Sequence, residues 1–176
     1  LGENRGIYST KVLLPCSGTL SVDGEIHRFD PASATGAFDD HKGYYPYRLH
    51  YDWVTGFGVD AQGQRIGFNL TDNQVVDQER YNENRIWIGG EVHPLPPVRF
   101  ERPEGIEGPW TIRDRRGIVD LRFHPEVSHD LSMRLGVAAV DYYGPFGSFS
   151  CGFTLRGRSV DASHLYGMGE KKSVRL

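Results

Sequence analysis

Apolar and polar residues alternate along most of this chain in short runs, and glycine, proline, aspartate or asparagine closes each run. Period-two alternation puts successive side chains on opposite faces of a strand, so the pattern predicts many short strands and almost no helix. Lys11 to Leu14 opens the series. Gly18 to Phe29 reads as a hairpin about Asp23-Gly24, a pair suited to the positive φ angles of a tight primed turn. Arg48 to Val59 returns through Asp60 to Gly63 into Arg65 to Leu70, and Asn84 to Ile88 returns through Gly89-Gly90 into Glu91 to Leu95. Pro94 has no N–H for a ladder, which places this last strand at an edge that it leaves early. Trp110 to Arg113 and Ile118 to Phe123 flank a turn at Asp114 to Gly117. A closing meander takes in Leu131 to Tyr142, Ser148 to Leu155 and Ser159 to Tyr166, with turns at Gly144 to Gly147 and Gly157-Arg158.

About ten strands result. Strands joined to their sequence neighbours by short turns favour an all-β, lipocalin-like antiparallel β-barrel, because closure removes exposed edges. A two-sheet β-sandwich uses the same strands and is the alternative. No repeat or linker divides residues 1–176, which read as a single domain. Asp30 to Tyr47 alone breaks the alternation and is expected to be irregular.

Composition narrows the function classes. A chain of 176 residues with 38% hydrophobic and 12% aromatic content supports one folded core. A net charge of −3 offers no basic field for a phosphate backbone, so nucleic acid is not expected as a partner. Runs such as Leu135 to Val140 fall far short of the roughly 20 apolar residues of a spanning helix, so no transmembrane segment is expected. Cys16 and Cys151 make neither a zinc spacing nor a disulfide framework and are expected to be buried thiols. The seven histidines show no HExxH and no close pair with a third ligand, so neither a metal nor another cofactor is expected. Gly147 to Gly152 misses the GxSxG spacing of a serine hydrolase, and Gly56-Phe-Gly58 lacks the third glycine of a dinucleotide site. Asn69-Leu70-Thr71 matches a glycosylation acceptor, a short pattern given little weight. A start at Leu1 reads as an excised or processed piece; the compartment stays open, with the cytoplasm favoured.

Candidate chemistry concentrates in the irregular stretch. Asp39 and Asp40, with His41 beside them, offer a carboxylic acid whose neighbour raises its pKa and a route to proton donation. Tyr44, Tyr45, Tyr47 and Trp53 supply flat walls with polar handles for a ligand. Glu83 and Asn84 stand at the entrance to the strand that carries Trp87, and Glu83 is a candidate base. The alternative for Glu83 is a loop carboxylate bonded to Arg85 or to backbone. Asn69, in an otherwise apolar strand, needs a ligand, water or backbone partner. Glu170 follows a glycine-rich segment near the end of the chain, where segments connect or fray, and is set aside.

Phe38-Asp-Asp-His-Lys-Gly-Tyr-Tyr-Pro-Tyr47, Trp53 to Gly56, Ile66 to Leu70, Glu83 to Trp87, Gly108 to Trp110 and Val119 to Phe123 occur in one order. In that order the chain resembles a bacterial family of unknown function related to the hydroxyneurosporene synthase and AttH-like lipocalin superfamily. The resemblance runs from about Gly18 onward. It implies one lipocalin-like half, the C-terminal one, of a two-barrel protein, with an N-terminal companion half as partner. It also implies a greasy cavity for a small apolar molecule of lipid or terpenoid kind, with Asp39 or Asp40 as proton donor beside Tyr45, Tyr47 and Trp53.

Four readings follow. The first is binding of a small apolar ligand in a barrel cavity, and the second is acid-base lyase or isomerase chemistry, hydratase-like, on such a ligand. The third is carbohydrate binding or cleavage by paired carboxylates and stacking rings. The fourth is a half-domain whose aromatic segment docks on its companion. Whether the domain is an enzyme is left open.

Overall fold

In the computed structural model, which describes residues 6–175, the regular structure is almost all strand, with one helix of four residues. The elements are β1 (Ile7–Pro15), β2 (Gly18–Val22), β3 (Glu25–Phe29), β4 (Thr35–Gly43), β5 (Arg48–Val59), β6 (Arg65–Asp72), α1 (Gln78–Tyr81), β7 (Arg85–Ile88), β8 (Glu91–Pro94), β9 (Val98–Glu101), β10 (Trp110–Asp114), β11 (Val119–Leu135), β12 (Ala138–Leu155), β13 (Arg158–Asp161) and β14 (Tyr166–Arg175). One antiparallel sheet runs β8-β7-β6-β5-β14-β12-β11-β10-β9, with β13 paired to β12. Its two end strands, β8 and β9, are joined by only Leu95, Pro96 and Pro97, so the sheet must curl until its edges meet. This is a lipocalin-like barrel, not a two-sheet sandwich.

Side chains tie the seam. Asn84 accepts from the Thr71 amide at 2.8 Å and donates to the Pro96 carbonyl at 2.9 Å, while Arg99 reaches Asp72 at 2.5 Å and Arg102 reaches Asp52 at 2.7 Å. Pro94 ends an edge strand, as a proline without a ladder donor should.

Alternate residues turn inward and fill the curl. Phe68, Trp110, Phe123, Phe149 and Phe153 are buried. Their rings meet in series at centroid distances of 5.4 Å (Trp110–Phe123), 4.9 Å (Phe123–Phe149), 4.9 Å (Phe149–Phe68) and 5.3 Å (Phe68–Phe153). Gly56 makes this stack possible, because a Cβ there would lie 2.7 Å from Phe149 and 2.9 Å from Phe68. The interior is therefore packed with rings, and a groove opens on the other face of the sheet.

The structure departs from the sequence reading in four places. Asp30 to Tyr47 is not irregular; Thr35–Gly43 is β4, paired with β1 in the register Lys11↔Asp39. Gly144 to Gly147 is no turn but lies within β12; the turn falls at Gly136-Val137, where Gly136 has φ 58°. The terminal segment does not fray: β14 inserts between β5 and β12 at the middle of the sheet, and fourteen strands are formed among the described residues. Cys151 is exposed and Cys16 half-buried, so neither is the buried thiol expected.

The β1/β4 ribbon, tipped by the exposed β2/β3 hairpin, lies against the outer face of the sheet. The Leu13 side chain packs where a Gly67 side chain would stand, and the Arg65 guanidinium donates to Thr35 Oγ1 and the Pro31 carbonyl at 3.1 and 2.5 Å.

Candidate functional site

Strand alternation gives the outer face its own set of side chains. Trp53, Thr55 and Phe57 interleave with Val54 and Gly56 on β5; Asn69 sits between Phe68 and Leu70 on β6, and Trp87 beside Ile86 on β7. The ribbon covers these residues without filling the space, leaving a groove of about 500 Å³. Val12, Leu13, Ala37 and Phe38 wall it from the ribbon, and Trp53, Phe57, Trp87, Phe146 and Met168 from the sheet. A second hollow of about 460 Å³, sharing Trp53 and Asp39 with the first, is lined by Ile7, Tyr45, Leu49, Tyr51, Glu83, Glu170 and Lys172.

A charged cluster stands where the two meet. Lys11 Nζ lies 2.5 Å from Asp39 Oδ2, 2.9 Å from His41 Nε2 and 3.6 Å from Glu83 Oε2. His41 Nε2 is also 2.7 Å from Asp39 Oδ1, so that nitrogen donates to Asp39 or accepts from Lys11 according to its protonation. The ammonium lies 5.5 Å from the Trp53 ring centre. Trp53 in turn donates its indole N–H to Asn69 Oδ1 at 2.6 Å, and Asn69 Nδ2 donates to the Glu83 carbonyl at 3.1 Å. Asn69 thus couples the wall of the groove to the loop that presents Glu83, and its burial closes it to glycosylation in this fold.

Glu83 is not bonded to Arg85, which donates to the Asn84 carbonyl. Its Oε1 accepts from Asn73 at 3.4 Å, while its Oε2 is buried without a hydrogen-bond donor among the described residues. On the far wall Glu170 accepts from the hydroxyls of Tyr51 at 2.7 Å and Tyr142 at 3.1 Å. Burial, then the Glu170 carboxylate, pushes the Tyr51 hydroxyl far above its ordinary range and Tyr142 up to about 12. Both remain protonated donors across neutral pH. Burial and then Glu83 also raise Tyr45.

Of the residues singled out by sequence, Asp39, His41, Tyr45, Trp53, Asn69, Glu83 and Trp87 come together around the two hollows. Asp40 does not: neighbouring strand residues project to opposite faces, so it pairs with Thr10 away from Asp39 and the two carboxylates share no site. A glycosidase pair built from them has no geometric basis. Tyr44 is exposed, and Tyr47 donates to the Val137 carbonyl at 3.4 Å. Asn84 holds the barrel seam. Lys11, Tyr51 and Tyr142 are the participants that sequence reasoning missed, and Glu170, set aside as terminal, belongs to the site. A lone lysine ahead of Val12-Leu13-Leu14 was the available signal for Lys11. Among the described residues no three His, Cys, Asp or Glu side chains form a metal-ligand set.

A family model described as Domain of unknown function (DUF2804) matches residues 2–176, and the chain belongs to that family. No curated protein matches it. Among solved structures the chain is similar to kievitone hydratase from Nectria haematococca, at 17% identity and a TM-score of 0.44, over 97% of this chain and 56% of that one. It spans little more than half the length of that protein.

Proposed function

We propose that the outer groove binds a small apolar molecule of lipid or terpenoid kind between ribbon and sheet. The observation that carries this reading is the groove itself: its volume of about 500 Å³ lies in the range of small-molecule sites, its walls are mostly apolar and aromatic, and its polar groups gather at one end. The resemblance to the hydroxyneurosporene synthase and AttH-like superfamily supports the same ligand class, in a different place from the barrel interior. That resemblance also supports a companion lipocalin-like half, for which the exposed Val127, Leu131, Met133 and Leu135 of the long hairpin offer an apolar face.

A direct test fills the groove. Ala37→Trp puts an indole into it from the ribbon, so native mass spectrometry should show a co-purifying apolar ligand on wild type and none on the variant, with the thermal midpoint little changed. Equal loading of both proteins would remove the groove from consideration. A second reading, acid-base turnover of the bound molecule, is favoured by one observation: Glu83 Oε2, which has no hydrogen-bond donor among the described residues, stands 4.0 Å from His41 Nε2 and 3.6 Å from Lys11. Under it, Asp39→Asn and Glu83→Gln keep the ligand and lose its chemical alteration; unaltered ligand on wild type restricts the domain to binding.

A further inference from the structure

We infer that the molecule held here is neutral and carries a hydroxyl, which donates to Glu83 Oε2 while its apolar body lies in the groove. The inference rests on the ligand-binding reading above and names its ligand class. Buried polar atoms in folded proteins have partners, and those without one in the protein alone are where a ligand, ion or water donates. Among the described residues Glu83 Oε2 is such an atom, in the wall of the second hollow and beside the groove's polar end. It can only accept, because an ionised carboxylate has no proton to give.

The surrounding charges select against an anionic headgroup. Three carboxylates face the second hollow: Asp39, Glu83 and Glu170. Lys11 is engaged by Asp39 at 2.5 Å and sits under Trp53, so its charge is already shared when Glu83 is reached at 3.6 Å. His41 leans on Asp39 at 2.7 Å. Lys172, the remaining cation of the hollow, lies about 6 Å from the ring centres of Tyr51 and Tyr142. Each oxygen of Glu170 already accepts from a tyrosine hydroxyl, so neither lacks a donor as Glu83 Oε2 does. A carboxylate entering the hollow would meet Asp39, Glu83 and Glu170 in its wall, and like charges repel. An alcohol supplies the missing donor and adds no charge.

Three ligands of one chain length separate the possibilities: 1-decanol, decyl methyl ether and decanoate, titrated at pH 8 against the full chain and followed by calorimetry. Decanol should bind about tenfold tighter than the ether, which lacks the donor, and tighter still than decanoate. In Glu83→Gln the alcohol-to-ether ratio should fall to a few-fold and decanoate should gain affinity. Decanoate binding as tightly as decanol to wild type, or equal binding of decanol and ether, would overturn the inference while leaving an apolar-ligand groove standing; the latter is also the result if Glu83 is served by water. If none of the three binds, the groove reading fails and takes the hydroxyl with it.

Discussion

The two faces of the curled sheet are made by the same strands and have opposite fates. On β6, Phe68 turns into a stack of rings that leaves no room for a Cβ on Gly56, while its neighbour Asn69 turns outward to hold Trp53 at the edge of a 500 Å³ groove. Inside, aromatic rings pack against one another in series; outside, the ribbon bridges the sheet and leaves apolar walls uncovered, with Lys11, Asp39, His41 and Glu83 at one end. The difference shows that in this barrel the core-forming and the groove-lining residues alternate along single strands. Substitutions one residue apart should therefore have different consequences.

The largest effect is expected from the inner face. Phe123→Ala removes a ring packed against both Trp110 and Phe149, and should cost about 3–5 kcal/mol in urea denaturation. A small loss there would mean that the interior is loosely packed and the contrast between faces false. A smaller effect is expected from Lys11→Met, which strips the cation from Asp39 and Glu83. The Lys11 side chain is 11% exposed and Asp39 34%, a setting between surface and buried pairs, so about 1–2 kcal/mol is expected. The loss should be local: limited proteolysis should cleave the ribbon, residues 6–43, faster while the curled sheet resists. Uniform sensitivity across the chain would show that ribbon and barrel unfold together.

Much of the sheet was legible in the sequence because it is held by local turn chemistry. Gly89-Gly90 sets the β7/β8 hairpin, with positive φ at both glycines, and Asp23-Gly24 sets β2/β3 in the same way. What was not legible depends on partners far away in the chain. Thr35–Gly43 lacks the look of a strand and becomes one through β1, whose Lys11 is 28 residues from Asp39. Gly144 and Gly147 look like turn residues, yet Gly147 serves a close approach to the His124 carbonyl inside β12. The polar Gly169-Glu-Lys-Lys172 reads as a tail, but β14 pairs on both sides. The site divides in the same way. Asp39, His41, Trp53 and Glu83 stood out by residue type. Lys11 and Glu170 are defined only by register, which puts the first opposite Asp39 and the second between Trp53 and the β12 strand that carries Tyr142.

The smallest expected effect is a pH dependence confined to the outer face. Tyr142 has a hydroxyl pushed up to about 12, from an ordinary value of 10.0, by burial and then by Glu170; Tyr51 is raised further for the same reasons. The folded state thus holds these protons more tightly than the unfolded chain does. Between pH 10 and 12 the unfolded chain loses them first, so stability that is intact below pH 10 falls as pH rises through that window. Tyr142→Phe removes one of the two titrating hydroxyls and one donor to Glu170. Its denaturation midpoint should lie slightly below wild type at pH 8 and decline less steeply from pH 10 to 12. Trp110 and Phe123 contribute no such slope, because neither side chain carries a hydroxyl that titrates. Parallel declines for wild type and Tyr142→Phe would mean that the Tyr51, Glu170 and Tyr142 network is not held together in solution, and would leave Glu170 as a free carboxylate facing the second hollow.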